Sequence, residues 1–112
     1  MSAEPTLPTP IAGYFQADHD LDFDALITWF ADDATVIDNG ESYRGHDAIR
    51  EMFASSAAEF QAKTTVLTAE VDGPLVNVLT GVEGNFPGSP LELIYKFELK
   101  EGLIDTLNIE LA

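Results

Sequence analysis

The chain has 112 residues, 46% of them hydrophobic, no cysteine, and a formal net charge of −15 from 20 acidic residues against five basic ones. That length supports one hydrophobic core and one ordinary domain. The charge repels nucleic acid and anionic membranes, and the missing thiols exclude disulfides, zinc–thiolate sites and cysteine nucleophiles.

Residues 1–9 are rich in Pro, Ser and Thr and read as a loosely held tail, leaving residues 10–112 as a single domain. The opening MSAEPTLPTPIAG has neither a basic start nor an apolar run, so no secretion signal is expected. No apolar stretch approaches the ~20 residues of a membrane span, and a soluble, cytoplasmic protein is expected.

Thr9-Pro10 reads as an N-cap followed by Pro at the first helical position, opening a short helix with Ile11, Tyr14 and Phe15 on one face. A second helix is expected from Asp22 to Ala31, because Phe23, Leu26, Ile27 and Phe30 recur at i, i+3, i+4 and i+7. Trp29 lies off that stripe, at an edge or a pocket mouth. Ala34–Asp38 follows as a strand with Val36 and Asp38 on one face, ended by the turn signal Asn39-Gly40. Gly45 opens a third helix whose face is Ile49, Met52, Phe53, Ala57 and Phe60.

From Lys63 the hydrophobic period changes from helical spacing to alternation. Strands are expected at Thr64–Val71, Leu75–Phe86, Leu91–Lys100 and Leu103–Leu111, separated by Asp72-Gly73-Pro74, Pro87-Gly88-Ser89-Pro90 and Glu101-Gly102. On the last strand Leu103, Asp105, Leu107, Ile109 and Leu111 share a face. Three helices followed by consecutive strands make an α+β domain: N-terminal helices packed on a curved, mainly antiparallel sheet. The helices cover one sheet face only. Ile94 and Ile104, on the nominally polar sides, suggest that the open face joins a second copy in a homodimer.

The order of elements, FADDATVID after a helix, and the Gly-x-Asp-Ala-Ile-Arg helix start resemble the NTF2-like superfamily, and within it the SnoaL-like branch. The likeness covers about residues 10–111 and implies a cystatin-like cone around an apolar pocket. Tyr14, Asp22, Asp24, Phe30–Val36 and Asp38 are also similar to ketosteroid isomerases. In those enzymes a Tyr of the first helix donates to the developing enolate oxygen, an Asp ending the first strand moves the proton, and a second, protonated Asp completes the oxyanion hole. Carried over by position, the resemblance implies Tyr14 as donor and Asp38 as base. The second Asp has no counterpart, and the nearest position holds Tyr95, itself a donor. Polyketide cyclases of the branch use a late-strand Asp, for which Asp105 is the candidate.

Each of these residues also has a plainer reading. Asp38 before Asn-Gly is a common turn former; Tyr14 and Tyr95 are ordinary core aromatics with a satisfied hydroxyl; Asp105 is a lone charge on an apolar face that must be paired or near an open end. His19 and His46 have no local metal-ligand spacing and are expected to face solvent. The resulting expectation is a pocket for a small hydrophobic molecule, lined by Trp29, Phe53, Phe86 and Leu107, with Asp38, Tyr14, Asp105 and Tyr95 as candidate catalytic groups. No cofactor or metal is expected. The alternative is a non-catalytic ligand-binding or assembly module.

Overall fold

The structure is a computed structural model and describes residues 6–112. Most of the tail expected at residues 1–9 therefore lies outside the described residues, and residues 6–8 lead without regular structure into the first helix. Helix α1 spans Thr9–His19, with Pro8 in the cap position and Pro10 in the first turn. Thr9 is thus inside the helix and is not its cap. One face of α1 buries Ile11, Tyr14 and Ala17.

Helix α2 is short, Phe23–Ile27, and begins where the Asp22 side chain accepts a hydrogen bond from the Ala25 N–H at 3.1 Å. It does not continue to Ala31 as its apolar stripe suggests. The Trp29 carbonyl accepts a bond from the Ile104 N–H at 2.9 Å, and Phe30 pairs with Ile104, so the sheet takes the backbone that the last helical turn needs. Phe30 is still 1% exposed. The stripe marked its burial correctly and its backbone wrongly.

Strand β1 runs Phe30–Asp38, turns through Asn39 and Gly40, both at positive φ, and returns as β2, Glu41–Arg44. The short β2 carries no alternation of its own and is not foreseen in the sequence. Helix α3, His46–Phe60, starts at Gly45 with φ 86°, a conformation that glycine adopts without a Cβ clash. Two bonds tie this start to β1: Gly45 N–H to the Ala34 carbonyl, and His46 Nε2 to the Phe30 carbonyl, each 2.9 Å. His46 is therefore a half-buried tie, where the sequence suggested a solvent-facing residue.

Strands β3 (Lys63–Asp72), β4 (Leu75–Glu83), β5 (Leu91–Lys100) and β6 (Leu103–Leu111) complete the described sheet, in the order β2-β1-β6-β5-β4-β3. All neighbours are antiparallel except β1 and β6. Ile49, Met52 and Phe53 of α3 and Tyr14 of α1 meet Val36, Val78, Phe97 and Leu107 of the sheet in one core. No described helix is long and apolar enough to cross a membrane.

A bulge in β6 corrects the expected strand face. The pairing with β5 shifts between Leu99↔Ile104 and Glu98↔Thr106, leaving Asp105 as the extra residue. The shift reverses the alternation, so Ile104 faces the core with Leu107 and Ile109, and is 0% exposed. Ile104 thus gives no support to a dimer face. Leu111, expected on the apolar side, is 70% exposed.

Candidate functional site

Across the sheet, Asp38 of β1 pairs with Ile109 of β6, which pairs with Tyr95 of β5, which pairs with Val78 of β4. These residues form one row on the helix-facing side. With strands ~4.8 Å apart, Asp38 and Tyr95 stand two strands, roughly 10 Å, from each other with Ile109 between them. Helix α1 lies over this row and lowers Tyr14 toward it.

The Tyr14 ring is held by edge-on contacts to Phe30, Phe53 and Phe97 at 5.8, 5.6 and 5.8 Å, and its centroid lies 6.3 Å from that of Tyr95. Such edge-to-face packing fixes the ring direction as well as burying its area. Between the two tyrosines and Asp38 lies a cavity of about 120 Å³, walled by Met52, Phe53, Phe60, Val82, Leu93 and Ile109. Asp18 of α1, one helical turn after Tyr14, also lines it. An outer groove of about 410 Å³ shares Asp18, Leu21, Ala57, Ala62 and Thr64 with the cavity wall and adds His19, Gln61 and Lys63. Leu21, 62% exposed and at φ 57°, stands at this shared mouth.

The electrostatics of the four polar groups follow from burial. Desolvation holds the Asp38 carboxyl above the ordinary carboxylate range, and the negative charge of Glu41 raises it further. Desolvation raises Asp18 as well, with His19 partly offsetting it. Burial, the neighbouring Tyr95 and the Asp18 charge push the Tyr14 hydroxyl well above its usual value. Tyr95 is raised first by burial and then by Asp18 and Asp38, and is lowered by hydrogen bonding from Thr64 and Tyr14. Both phenols thus stay protonated at neutral pH and can donate. A carboxylate held toward neutrality beside them is suited to exchange a proton.

The structure therefore brings together Tyr14, Asp38, Tyr95 and Phe53 of the residues singled out in the sequence. It does not bring the other four to this cavity. Asp105 is the bulge residue at the far end of β6, paired across the sheet with neither Asp38 nor Tyr95. Trp29 lies against Gly13 of α1. Phe86 packs edge-on behind Phe60 at 6.0 Å. Leu107 is 0% exposed in the core. Sequence reasoning missed Asp18, although its i+4 spacing from Tyr14 on a helix was the signal that the two share a face.

No curated protein matches the chain. Among solved structures, a protein of Sinorhizobium meliloti provisionally named a polyketide cyclase is 38% identical, with 93% of this chain and 95% of that one covered at a TM-score of 0.91. A protein of Catenulispora acidiphila with a ketosteroid isomerase-like fold, solved in complex with trimethylamine, is 21% identical, with 96% and 88% covered at a TM-score of 0.84. A cystatin-fold protein of Novosphingobium aromaticivorans is 17% identical, with 90% and 94% covered at a TM-score of 0.78. The SnoaL-like domain profile matches residues 11–105, and with these relatives it establishes that the chain belongs to the SnoaL-like family of the NTF2-like superfamily.

Proposed function

We propose that this protein is a cofactor-independent enzyme that moves a proton next to the carbonyl of a small hydrophobic substrate. The observation that carries the reading is the shared cavity: Asp38, its carboxyl held toward neutrality, and two protonated phenols line the same space. The Asp38 carboxylate takes a proton from the carbon beside the carbonyl. Electron density moves onto the carbonyl oxygen, where Tyr14, with Tyr95, donates hydrogen bonds to the enolate. Asp38 then returns the proton to the same or a neighbouring carbon, so no net proton or electron is consumed.

Size narrows the substrate. A chamber of about 120 Å³ is well below the ~300–1,000 Å³ of typical drug-sized ligand pockets and has no room for a fused-ring steroid. The reacting head is a single small ring or short chain, and any larger tail occupies the groove past Leu21. The relative at 38% identity, with its cyclase name, fits carbonyl chemistry of this kind.

The test is proton exchange into small cyclic enones and ketones, followed by deuterium NMR, for wild type against Asp38→Asn. A loss of about 10²–10⁴-fold is expected, the usual contribution of a positioned acid–base group. Equal rates remove Asp38 from the chemistry and leave a ligand-binding module. A homodimer through the outer sheet face completes the proposal. Leu79 and Ile94 are cross-strand partners there, and Leu67 lies over the bare backbone of Gly81, so the face carries an apolar strip.

A further inference from the structure

The inner chamber is unusual in the sign of its charge. Its wall includes two carboxylates, Asp18 and Asp38, and no Lys, Arg or His. Asp38 is explained by the reaction proposed above. Asp18 is not. Among the described residues, the ion pairs engage Asp32, Asp24 and Glu110, and no side-chain hydrogen bond reaches the Asp18 carboxylate. Asp18 lines both this chamber and the outer groove, so its side chain stands at the boundary between the two.

Burial disfavours the charged form of Asp18 and His19 offsets this only in part, so a ligand that brings a positive charge is favoured beside it. Its surroundings are also those that attract an organic cation. The rings of Tyr14, Phe53, Phe60 and Tyr95 line the same space, and their electron-rich faces attract ammonium groups. The basic residues nearest to it, His19 and Lys63, line the outer groove together with Asp18 and are absent from the chamber wall.

We propose that the chamber takes a ligand whose buried end carries a small organic cation, an amine or quaternary ammonium group, with Asp18 as its counter-ion and the aromatic rings as its walls. This rests on the reading of the cavity as the substrate site and narrows the substrate to amine-bearing carbonyl compounds. Asp18 is then the residue that sets specificity, while Asp38 remains free to handle the proton. Anionic substrates are rejected by the same two carboxylates.

The experiment compares choline with its uncharged carbon isostere, 3,3-dimethylbutan-1-ol, by calorimetry and by shifts of the Tyr and Phe ring resonances. Cyclohex-2-enone serves as a neutral carbonyl probe. Wild type is expected to prefer choline by about tenfold or more, as a desolvated cation–π and carboxylate site implies. The preference disappears in Asp18→Asn, returns in Asp18→Glu, and is unchanged in Asp20→Asn, which removes a charge from the same turn but not from the chamber. Equal affinity for both ligands in wild type, or a preference that survives Asp18→Asn in a folded protein, overturns the proposal. If cyclohex-2-enone binds and choline does not, the cation site fails and the substrate-site reading stands. If none of the three binds, both fail.

Discussion

Asp38 and Glu41 are cross-strand partners on the two sides of the Asn39–Gly40 turn. Burial is the larger reason that the Asp38 carboxyl titrates high, and the Glu41 charge is the second. Glu41 is itself held by the Tyr43 hydroxyl, which donates to Glu41 Oε2 at 2.8 Å. Replacing Glu41 by Gln removes the repulsion and keeps the turn. The Asp38 midpoint, read by carboxyl NMR titration or as the acid limb of the pH–rate profile, is expected to move to lower pH. It stays above the ordinary carboxylate range, because burial remains. A midpoint that does not move would show that the two charges are screened from each other.

The raised carboxyls also predict how stability changes with pH. A carboxyl whose pKa is raised by folding binds its proton in the native state over a pH range where the unfolded chain has already released it. Stability therefore falls as pH rises from the ordinary carboxylate range through the raised midpoints, and stays lower above them. Asp18→Asn and Asp38→Asn remove this cost. Each variant is expected to melt higher than wild type at pH 7, by about 2–4 °C given the partial exposure of both side chains, with the difference vanishing near pH 3. The Asp38→Asn protein would then be more stable and less active, a trade-off common at catalytic sites. Calorimetry at the two pH values decides it.

What the sequence made legible was governed by periodicity and by turn residues. The strands β3 to β6 and the helix face of α3 follow from alternation and helical spacing, and Asn39-Gly40 and Gly45 mark the positive-φ positions on either side of β2. What it hid depends on pairing between distant segments. Phe30 leaves the helical stripe because Ile104 pairs with it, and Asp105 leaves the core face because a bulge reverses β6. Neither pairing leaves a local trace. The site divides in the same way. Tyr14 and Asp38, singled out through the family resemblance, line one cavity, whereas Asp18 becomes a cavity residue only once α1 is laid across the sheet.

Gly13 and Trp29 supply a packing test independent of chemistry. A Cβ at Gly13 would fall inside the Trp29 indole, on its Cε2, Cζ2 and Nε1 atoms. Helix propensity alone would make Gly13→Ala stabilising by up to about 1 kcal/mol. The clash reverses that sign, because the indole is held at the junction between α2 and β1 and α1 must move away. Overpacking of this kind costs typically 1–3 kcal/mol. Denaturant titration should show a lower midpoint for Gly13→Ala with an unchanged slope. A stabilised variant would mean that Trp29 swings aside freely.

The outer sheet face allows a direct test of assembly. Leu79 and Ile94 are adjacent there and half-buried within one chain, while Lys96 and Glu110 form an ion pair at 3.1 Å on the same face. A charge at Ile94 faces the partner in a two-fold dimer but only solvent in a monomer. It also leaves the cavity wall untouched, because Tyr95 on the opposite side keeps its place. Ile94→Glu is therefore expected to convert a dimer at micromolar concentration in moderate salt into a monomer, while the monomer keeps its fold. Interfaces of stable dimers bury ~800 Å² per partner or more, and one unpaired charge at the centre of such a patch costs several kcal/mol. Sedimentation velocity of wild type and variant gives the answer, and a wild type that runs as a monomer sinks the dimer outright.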